Sequence, residues 1–188
     1  MQSQDKHHDD KGHHQAQKKI DPYWLNGKWV GEGETKDGGK YWETSTFKVI
    51  STDPEPVMQY QQRIQNSDHN DKGSGESGFF RFNHGHDDIM HLQSDFLHDF
   101  GLRELSFGHM GFENHHPFMK MHAKEDVHFH RPAGSLDKEK SQKGGEVTHY
   151  QRKYWLDDEG KLNYETMVGL DGKALEHQRS GKLTKAIE

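Results

Sequence analysis

Histidine is the residue type with the clearest chemical potential in this chain, because the sequence has 17 histidines and no cysteine. Neutral imidazole is a common metal ligand, whereas the lack of cysteine excludes disulfides, thiolate metal sites and thiol catalysis. The pairs His84-x-His86 and His128-x-His130 would each place two imidazoles on one side of a strand. With His122 as a third ligand, the second pair could hold zinc. The sequence therefore predicts a metal site at His122, His128 and His130.

The first 19 residues form a second group of histidines, His7-His8 and His13-His14, among Gln, Asp and Lys. This segment has no aromatic residue and no apolar periodicity, which is typical of disordered chain. Its imidazoles could chelate zinc, nickel or copper weakly. We therefore predict a disordered, histidine-rich tail over residues 1–19 and one folded domain over residues 20–188.

Several classes of function are excluded or disfavoured by the rest of the sequence. The net charge is −6, and no basic stripe alternates with aromatic residues, so a nucleic-acid partner is not expected. No apolar run reaches the roughly 18 residues that a transmembrane helix needs. We also expect no signal peptide in the printed chain, and the compartment stays open. The motifs of serine hydrolases, phosphate loops and HExxH metalloproteases do not occur. Ligand binding is therefore expected rather than catalysis.

One carboxylate pair, Glu43 with Glu76, could face a protein interior. Acidic residues of β proteins are usually solvated, however, and the sequence offers no reason to place this pair differently. We therefore expect Glu43 and Glu76 to be surface residues.

The elements that would position these side chains are strands. The cluster Gly27-x-Trp29-x-Gly31-x-Gly33 places glycines on alternate positions around a tryptophan, which indicates a strand that bends sharply. Such a strand is typical of a sheet that curls into a barrel. We predict that Trp29 is a structural plug at the barrel floor. A barrel around a partly polar cavity would also explain why only 29% of the residues are hydrophobic.

Hydrophobic periodicity of two supports this fold class along the whole domain. From Tyr41 to Val49 one face carries Tyr41, Glu43, Ser45, Phe47 and Val49. A short helical turn is predicted at 22–25, and further strands are predicted at 57–64, 77–82, 89–93, 103–107, 118–122, 147–156, 162–168 and 175–185. Polar loops are predicted at 66–75 and 134–145. The predicted fold is all-β, an antiparallel up-and-down β-barrel of about ten strands.

Several of these segments resemble the nitrobindin family, the haem-binding ten-stranded barrels related in shape to fatty-acid-binding proteins and lipocalins. The similar segments are Gly27-x-Trp29-x-Gly31-x-Gly33, Tyr41 to Phe47, Glu76-Ser77-Gly78-Phe79-Phe80-Arg81 and Asp158 to Glu165. They occur in the family's order and cover about half of the chain. The resemblance therefore implies the same barrel.

The resemblance also implies where a cofactor would bind. Members of the family hold ferric haem through a histidine on the last strand, and an alignment without gaps from Leu162 to Leu183 places Gln178 there, directly after His177. Adjacent strand residues face opposite sides of the wall. His177 is the expected iron ligand if it faces inward, and Gln178 is otherwise an inward hydrogen-bonding group. Met167, Met58 and Trp29 would be the other cofactor-binding residues.

A further departure from the family lies before the Glu76 segment. Gly73-Ser74 stands where haem-binding relatives have Met-His.

These observations imply a barrel that binds a small hydrophobic or amphipathic ligand, with haem as the leading candidate. Reaction with nitrogen oxides and isomerisation of peroxynitrite, which the family suggests, would depend on bound haem. A fatty-acid-like or other amphipathic ligand without haem is one alternative. A histidine-rich metal-binding barrel is another, and a ligand-free structural barrel is a third.

Overall fold

The computed structural model describes residues 20–66, 73–85, 89–99, 103–124, 129–130 and 147–187. The predicted tail at 1–19, the predicted loop at 134–145, His86 and His128 lie outside these ranges. No helix in the described ranges is long and apolar enough to cross a membrane.

The described chain forms a closed antiparallel β-barrel of ten long strands, which confirms the predicted fold class. Consecutive strands pair with each other, β11 pairs with β1, and β5 pairs with β6 to close the circle. β7 pairs with β9 across a long connection, and the two-residue β8 pairs with the start of β6. The strands are β1 Gly27–Thr35, β2 Lys40–Ser51, β3 Val57–Asn66, β4 Ser74–His84, β5 Met90–His98, β6 Arg103–Glu113, β7 His116–Lys124, β8 Phe129–His130, β9 Val147–Leu156, β10 Leu162–Leu170 and β11 Glu176–Lys185.

Alternation along each strand divides the side chains between the interior and the outer surface. On β2, Tyr41, Glu43, Ser45 and Phe47 are buried, whereas Trp42 is exposed. This arrangement confirms the face predicted from the period of two. The same alternation continues on β5 and β9, where every second residue is buried.

One end of the barrel is closed by a short 3-10 helix over Pro22–Leu25, at the predicted helical turn. The carboxylate of Asp21 accepts a hydrogen bond from the backbone N–H of Tyr23 at 2.7 Å and caps this helix. Trp29 is buried beneath it, and its indole Nε1 donates to the carbonyl of Leu25 at 2.8 Å. Trp29 therefore plugs this end, which we call the helix end; the opposite end is the far end.

Gly33 on β1 and Gly181 on β11 make room for aromatic rings. A Cβ atom on Gly33 would lie 2.3 Å from the ring of Tyr41, and one on Gly181 would lie 2.4 Å from the ring of Tyr164. The two glycines face each other across β1 and β11. Both tyrosine rings can therefore lie flat against the inner wall.

Candidate functional site

The barrel interior has an apolar half and a polar half. The apolar half lies towards the helix end and is packed with aromatic and methionine side chains, including Trp29, Phe47, Met58, Phe80, Phe82, Met90, Met110 and Leu183. The polar half lies towards the far end and forms what we call the polar layer. Its members are Glu43, Gln62, Glu76, His98, Glu104, Arg152 and Arg179.

Each member of the polar layer comes from a different strand, namely β2, β3, β4, β5, β6, β9 and β11. All of these residues occupy inward positions of the alternating pattern, either at the middle of their strands or nearer the far end. The layer is therefore built by the closure of the barrel, because no single segment of the sequence contains it.

The pair Glu76–Arg152 is the centre of the polar layer. Arg152 donates from Nη2 to Oε2 of Glu76 at 2.9 Å and from Nη1 to Oε1, and both side chains are almost completely buried. The Tyr60 hydroxyl also donates to Oε1 at 3.0 Å. Burial alone would raise the pKa of Glu76, but the nearby positive charges, Arg152 foremost, outweigh it and lower the pKa to about 2. Glu76 is therefore ionised at neutral pH.

Tyrosine hydroxyls satisfy the remaining donors of Arg152. Nε and Nη2 donate to the Tyr150 hydroxyl at 3.2 and 2.6 Å, and Nη1 donates to Tyr154 at 3.1 Å. The Tyr154 hydroxyl in turn donates to Tyr60 at 3.0 Å. Burial raises the pKa of Tyr150, so its hydroxyl keeps its proton at neutral pH. The guanidinium also lies 5.2 Å from the centre of the Phe96 ring.

His98 links two buried carboxylates. Its Nδ1 lies 3.1 Å from Oε2 of Glu76, and its Nε2 lies 3.1 Å from Oε2 of Glu104. Ser106 donates to the other oxygen of Glu104. His98 therefore bridges the carboxylates of Glu76 on β4 and Glu104 on β6.

Glu43 lies on the opposite side of the layer and is held by neutral donors. Ser45 Oγ and Gln62 Nε2 both donate to its Oε1 at 2.7 Å, and the Tyr164 hydroxyl donates to Oε2. The expectation that Glu43 and Glu76 are surface residues was therefore wrong, because they are 0% and 3% exposed. Their inward positions on β2 and β4, together with these partners, explain the burial.

Arg179 is the inward residue of β11 in the polar layer. Its Nη2 donates to Oε1 of Gln62 at 3.1 Å and lies 3.8 Å from Oε2 of Glu76. Thr166 on β10 pairs with Arg179 on β11 and with Arg152 on β9, so it lies between two arginine residues. Its hydroxyl is buried and has no hydrogen-bond partner among the described residues.

A bulge in β11 separates Arg179 from the predicted iron ligand. Thr166 pairs with Arg179 but Met167 pairs with His177, so Gln178 is the extra residue between them. Met167 accepts a hydrogen bond from Gln151, which lies between two buried residues of β9 and so faces outward. His177 is exposed on this same outer face, and Gln178 is also exposed.

The other predicted cofactor residues, Met58 and Trp29, lie in a different part of the barrel from His177 and Gln178. Met58 and Trp29 are buried in the apolar half of the interior. The structure therefore does not bring the five predicted cofactor residues together.

A cleft of about 150 Å³ between β3 and β4 reaches the polar layer from outside. It is lined by Gln62 and Glu76 on the inner side and by Asp99 at the rim. Gly73 and Ser74, which stand in place of the family's Met-His pair, also line it. The layer is therefore approached near the far end of the barrel.

Comparison with known proteins agrees with this architecture. Residues 21–185 match the model of a family described as a THAP4-like, heme-binding beta-barrel domain. The chain belongs to this family. The resemblance to the nitrobindin family is thereby confirmed. The family's fold is also seen in the crystal structure of Rv2717c from M. tuberculosis, at 19% identity and a TM-score of 0.66, over 87% of this chain and 94% of that chain. No curated protein matches the sequence.

The family description names haem, and the described part of β11 can be tested against it. The inward positions of this strand are Arg179, Gly181 and Leu183, and none of them offers an imidazole. The exposed, outward His177 lies on the wrong face to contact a group inside the barrel. The described residues therefore do not fit a haem held from the last strand.

The predicted metal site is only partly within the described chain. His122 is exposed on β7 and pairs with Phe107 on the outer side of the barrel. Within the described ranges, no group of three or more His, Asp or Glu residues could hold a metal ion. The metal site remains a prediction.

Sequence reasoning did not identify His98, Glu104, Arg152 or Arg179 as site residues. One signal was present, since Tyr150-x-Arg152-x-Tyr154 places an arginine on the same face as two aromatic residues. A charged residue at an otherwise apolar inward position is typical of a ligand site or a buried ion pair.

Proposed function

We propose that this barrel binds a small amphipathic ligand whose polar group meets the polar layer. The observation that carries the proposal is the layer itself, in which three carboxylates and two guanidinium groups share one barrel interior. Removing each such charge from water costs several kcal/mol, and apolar replacements of buried ion pairs are often as stable or more stable. A layer of this kind is therefore better explained by ligand recognition than by folding.

The division of the interior supports entry of the ligand from the far end of the barrel. The helix end is filled by packed aromatic and methionine side chains, whereas the polar layer faces the far end. The cleft beside Gln62 and Glu76 supports an approach from the same direction. A polar head group would therefore lie deepest, against the layer.

Haem is the second candidate, favoured by membership of the family. His177 is its predicted ligand, although the outward position of His177 in the bulged strand does not support this role. Any reaction with peroxynitrite would depend on haem being bound.

A pair of titrations on the full-length chain tests the proposal. A dansyl-labelled undecanoic acid should gain fluorescence on binding at micromolar protein and should be displaced by unlabelled fatty acids. Hemin titration, followed by the Soret band, tests the second candidate in parallel. A sharp Soret band that His177→Ala abolishes would establish haem ligation and displace the amphipathic carrier as the first candidate.

The half-buried, outward-facing His149 on β9 provides a matched control for the haem arm. His149→Ala should leave the hemin spectrum unchanged whichever candidate is correct. Absence of binding by both probes would contradict the proposal and favour a structural barrel.

A further inference from the structure

Hydrogen-bond donors are in excess on one side of the polar layer. Each carboxylate already accepts at least two hydrogen bonds or ion pairs from described side chains. By contrast, the Thr166 hydroxyl is buried without a partner in the described chain, at 2% exposure of the residue. An unpaired buried hydroxyl is costly, and such groups usually mark a missing partner.

Two further donors lie beside Thr166. Arg179 has five N–H groups, and among the described residues only one of its nitrogens, Nη2, donates a hydrogen bond, to Gln62. Tyr150 accepts two bonds from Arg152, and its own proton has no acceptor among the described residues. These three side chains come from the adjacent strands β9, β10 and β11.

The charges of the two arginines also favour an anionic ligand at Arg179. Arg152 is neutralised by its bidentate contact with Glu76, whereas the nearest carboxylate oxygen to Arg179 in the described part of the chain lies 3.8 Å away. Arg179 is also only partly buried, with 20% of its side chain exposed. A planar guanidinium with free N–H groups pairs best with a carboxylate.

We infer that Arg179, Thr166 and Tyr150 form the head-group site of the barrel, and that the head group is a carboxylate. This inference rests on the proposed function and names its ligand class more closely. The carboxylate accepts from the free N–H groups of Arg179 and from the Thr166 hydroxyl, with the Tyr150 hydroxyl as a third donor.

The test compares a charged probe with a neutral one on the full-length protein. The charged probe is dansyl-labelled undecanoic acid and the neutral probe is its methyl ester, which keeps the same chain. Arg179→Gln should weaken binding of the acid by roughly ten- to hundredfold, as expected for hydrogen bonds to a charged group. It should leave binding of the ester within about twofold, because the ester has no charge to pair.

Thr166→Val is the variant that remains informative if Arg179→Gln folds poorly. It should weaken binding of the acid by about two- to tenfold. The unfolding temperature of the ligand-free protein should not fall, because the hydroxyl makes no hydrogen bond there to lose. If Thr166 were merely structural, Thr166→Val would lower the unfolding temperature and leave the affinity for the acid unchanged.

Two exposed residues serve as matched controls, Arg81 on β4 and Thr184 on β11. Arg81→Gln and Thr184→Val should change neither the affinity for the acid nor the affinity for the ester. Equal loss of acid and ester binding in Arg179→Gln, or no loss of acid binding in either site variant, would overturn the head-group inference while the proposed function stands. Failure of the wild-type protein to bind both probes would instead overturn the proposed function and this inference with it.

Discussion

Replacement of Arg152 by methionine would test the polar layer most directly, because it removes the main positive partner of a buried carboxylate. Arg152→Met keeps a long apolar side chain but loses the two contacts with Glu76 and the hydrogen bonds to Tyr150 and Tyr154. Removing one member of a buried ion pair typically costs about 3 to 5 kcal/mol. We expect a loss of this size in the free energy of unfolding.

The lowered pKa of Glu76 indicates a contribution of similar size to the free energy of unfolding. A fall from 4.5 to about 2 corresponds to roughly 3 kcal/mol of stability at neutral pH, since each pKa unit is worth about 1.4 kcal/mol. The folded-state pKa lies below the unfolded value, so the contribution is complete above the unfolded value and is lost as the pH falls towards about 2. In Arg152→Met the Glu76 carboxylate loses its main positive partner, and its protonation at lower pH relieves part of that loss. The difference in unfolding free energy between wild type and Arg152→Met should therefore be largest near neutral pH and should decrease as the pH falls.

Urea unfolding followed by circular dichroism, at several pH values, would measure these changes. The double variant Glu76→Gln with Arg152→Met should cost clearly less than the sum of the two single variants, because it removes the unpaired charge. It also provides a folded comparison if the single arginine variant does not fold. Arg103→Gln is the matched control, since Arg103 pairs with Asp95 on the exposed surface and should change stability little. Additive single losses, or an Arg152→Met variant as stable as wild type at pH 7, would refute the reasoning.

Three further changes test other parts of the structure. Trp29→Phe should cost roughly 1 to 3 kcal/mol in urea unfolding, because the buried carbonyl of Leu25 loses its indole donor; an unchanged midpoint would contradict the plug. Gly33→Ala should cost roughly 1 to 3 kcal/mol, because its Cβ would lie 2.3 Å from the ring of Tyr41, and a neutral result would contradict that contact. Zinc affinity, measured by calorimetry, should persist after glutamine replaces the N-terminal histidines if the predicted metal site exists, and should vanish if binding is only chelation by His7, His8, His13 and His14.

The local hydrophobic pattern predicts the bounds of several strands closely, whereas the full length of others depends on pairing with neighbouring strands. β9 begins and ends where the period of two predicts, and β2 and β3 extend only one or two residues beyond. β6 and β7 were predicted only as short strands, because histidines and glycines interrupt the apolar rhythm there. In the barrel these segments run from Arg103 to Glu113 and from His116 to Lys124, since backbone pairing with neighbours does not depend on side-chain type.

The burial of charge could not be foreseen from the sequence. Glu76 and Arg152 are separated by 76 positions, and only closure of the barrel brings them within hydrogen-bond distance. An isolated carboxylate is expected in water, so the sequence alone predicts that Glu43 and Glu76 lie on the surface. Their partners on β9, β10 and β3 reverse that expectation, because a carboxylate with several donors can be held inside.

The amino-acid sequence by itself determined the container, since alternating side chains, turn residues and the Gly-Trp-Gly strand are local features that specify an antiparallel barrel of this family. Tertiary structure alone decided which residues face the interior of the last strand. One bulge at Gln178 shifts the alternation, so His177 faces outward and Arg179 faces Glu76 and Thr166. The physical reason is that a strand's inward face depends on its pairing register with neighbouring strands, and a single unpaired residue reverses it without leaving a signal in the local sequence.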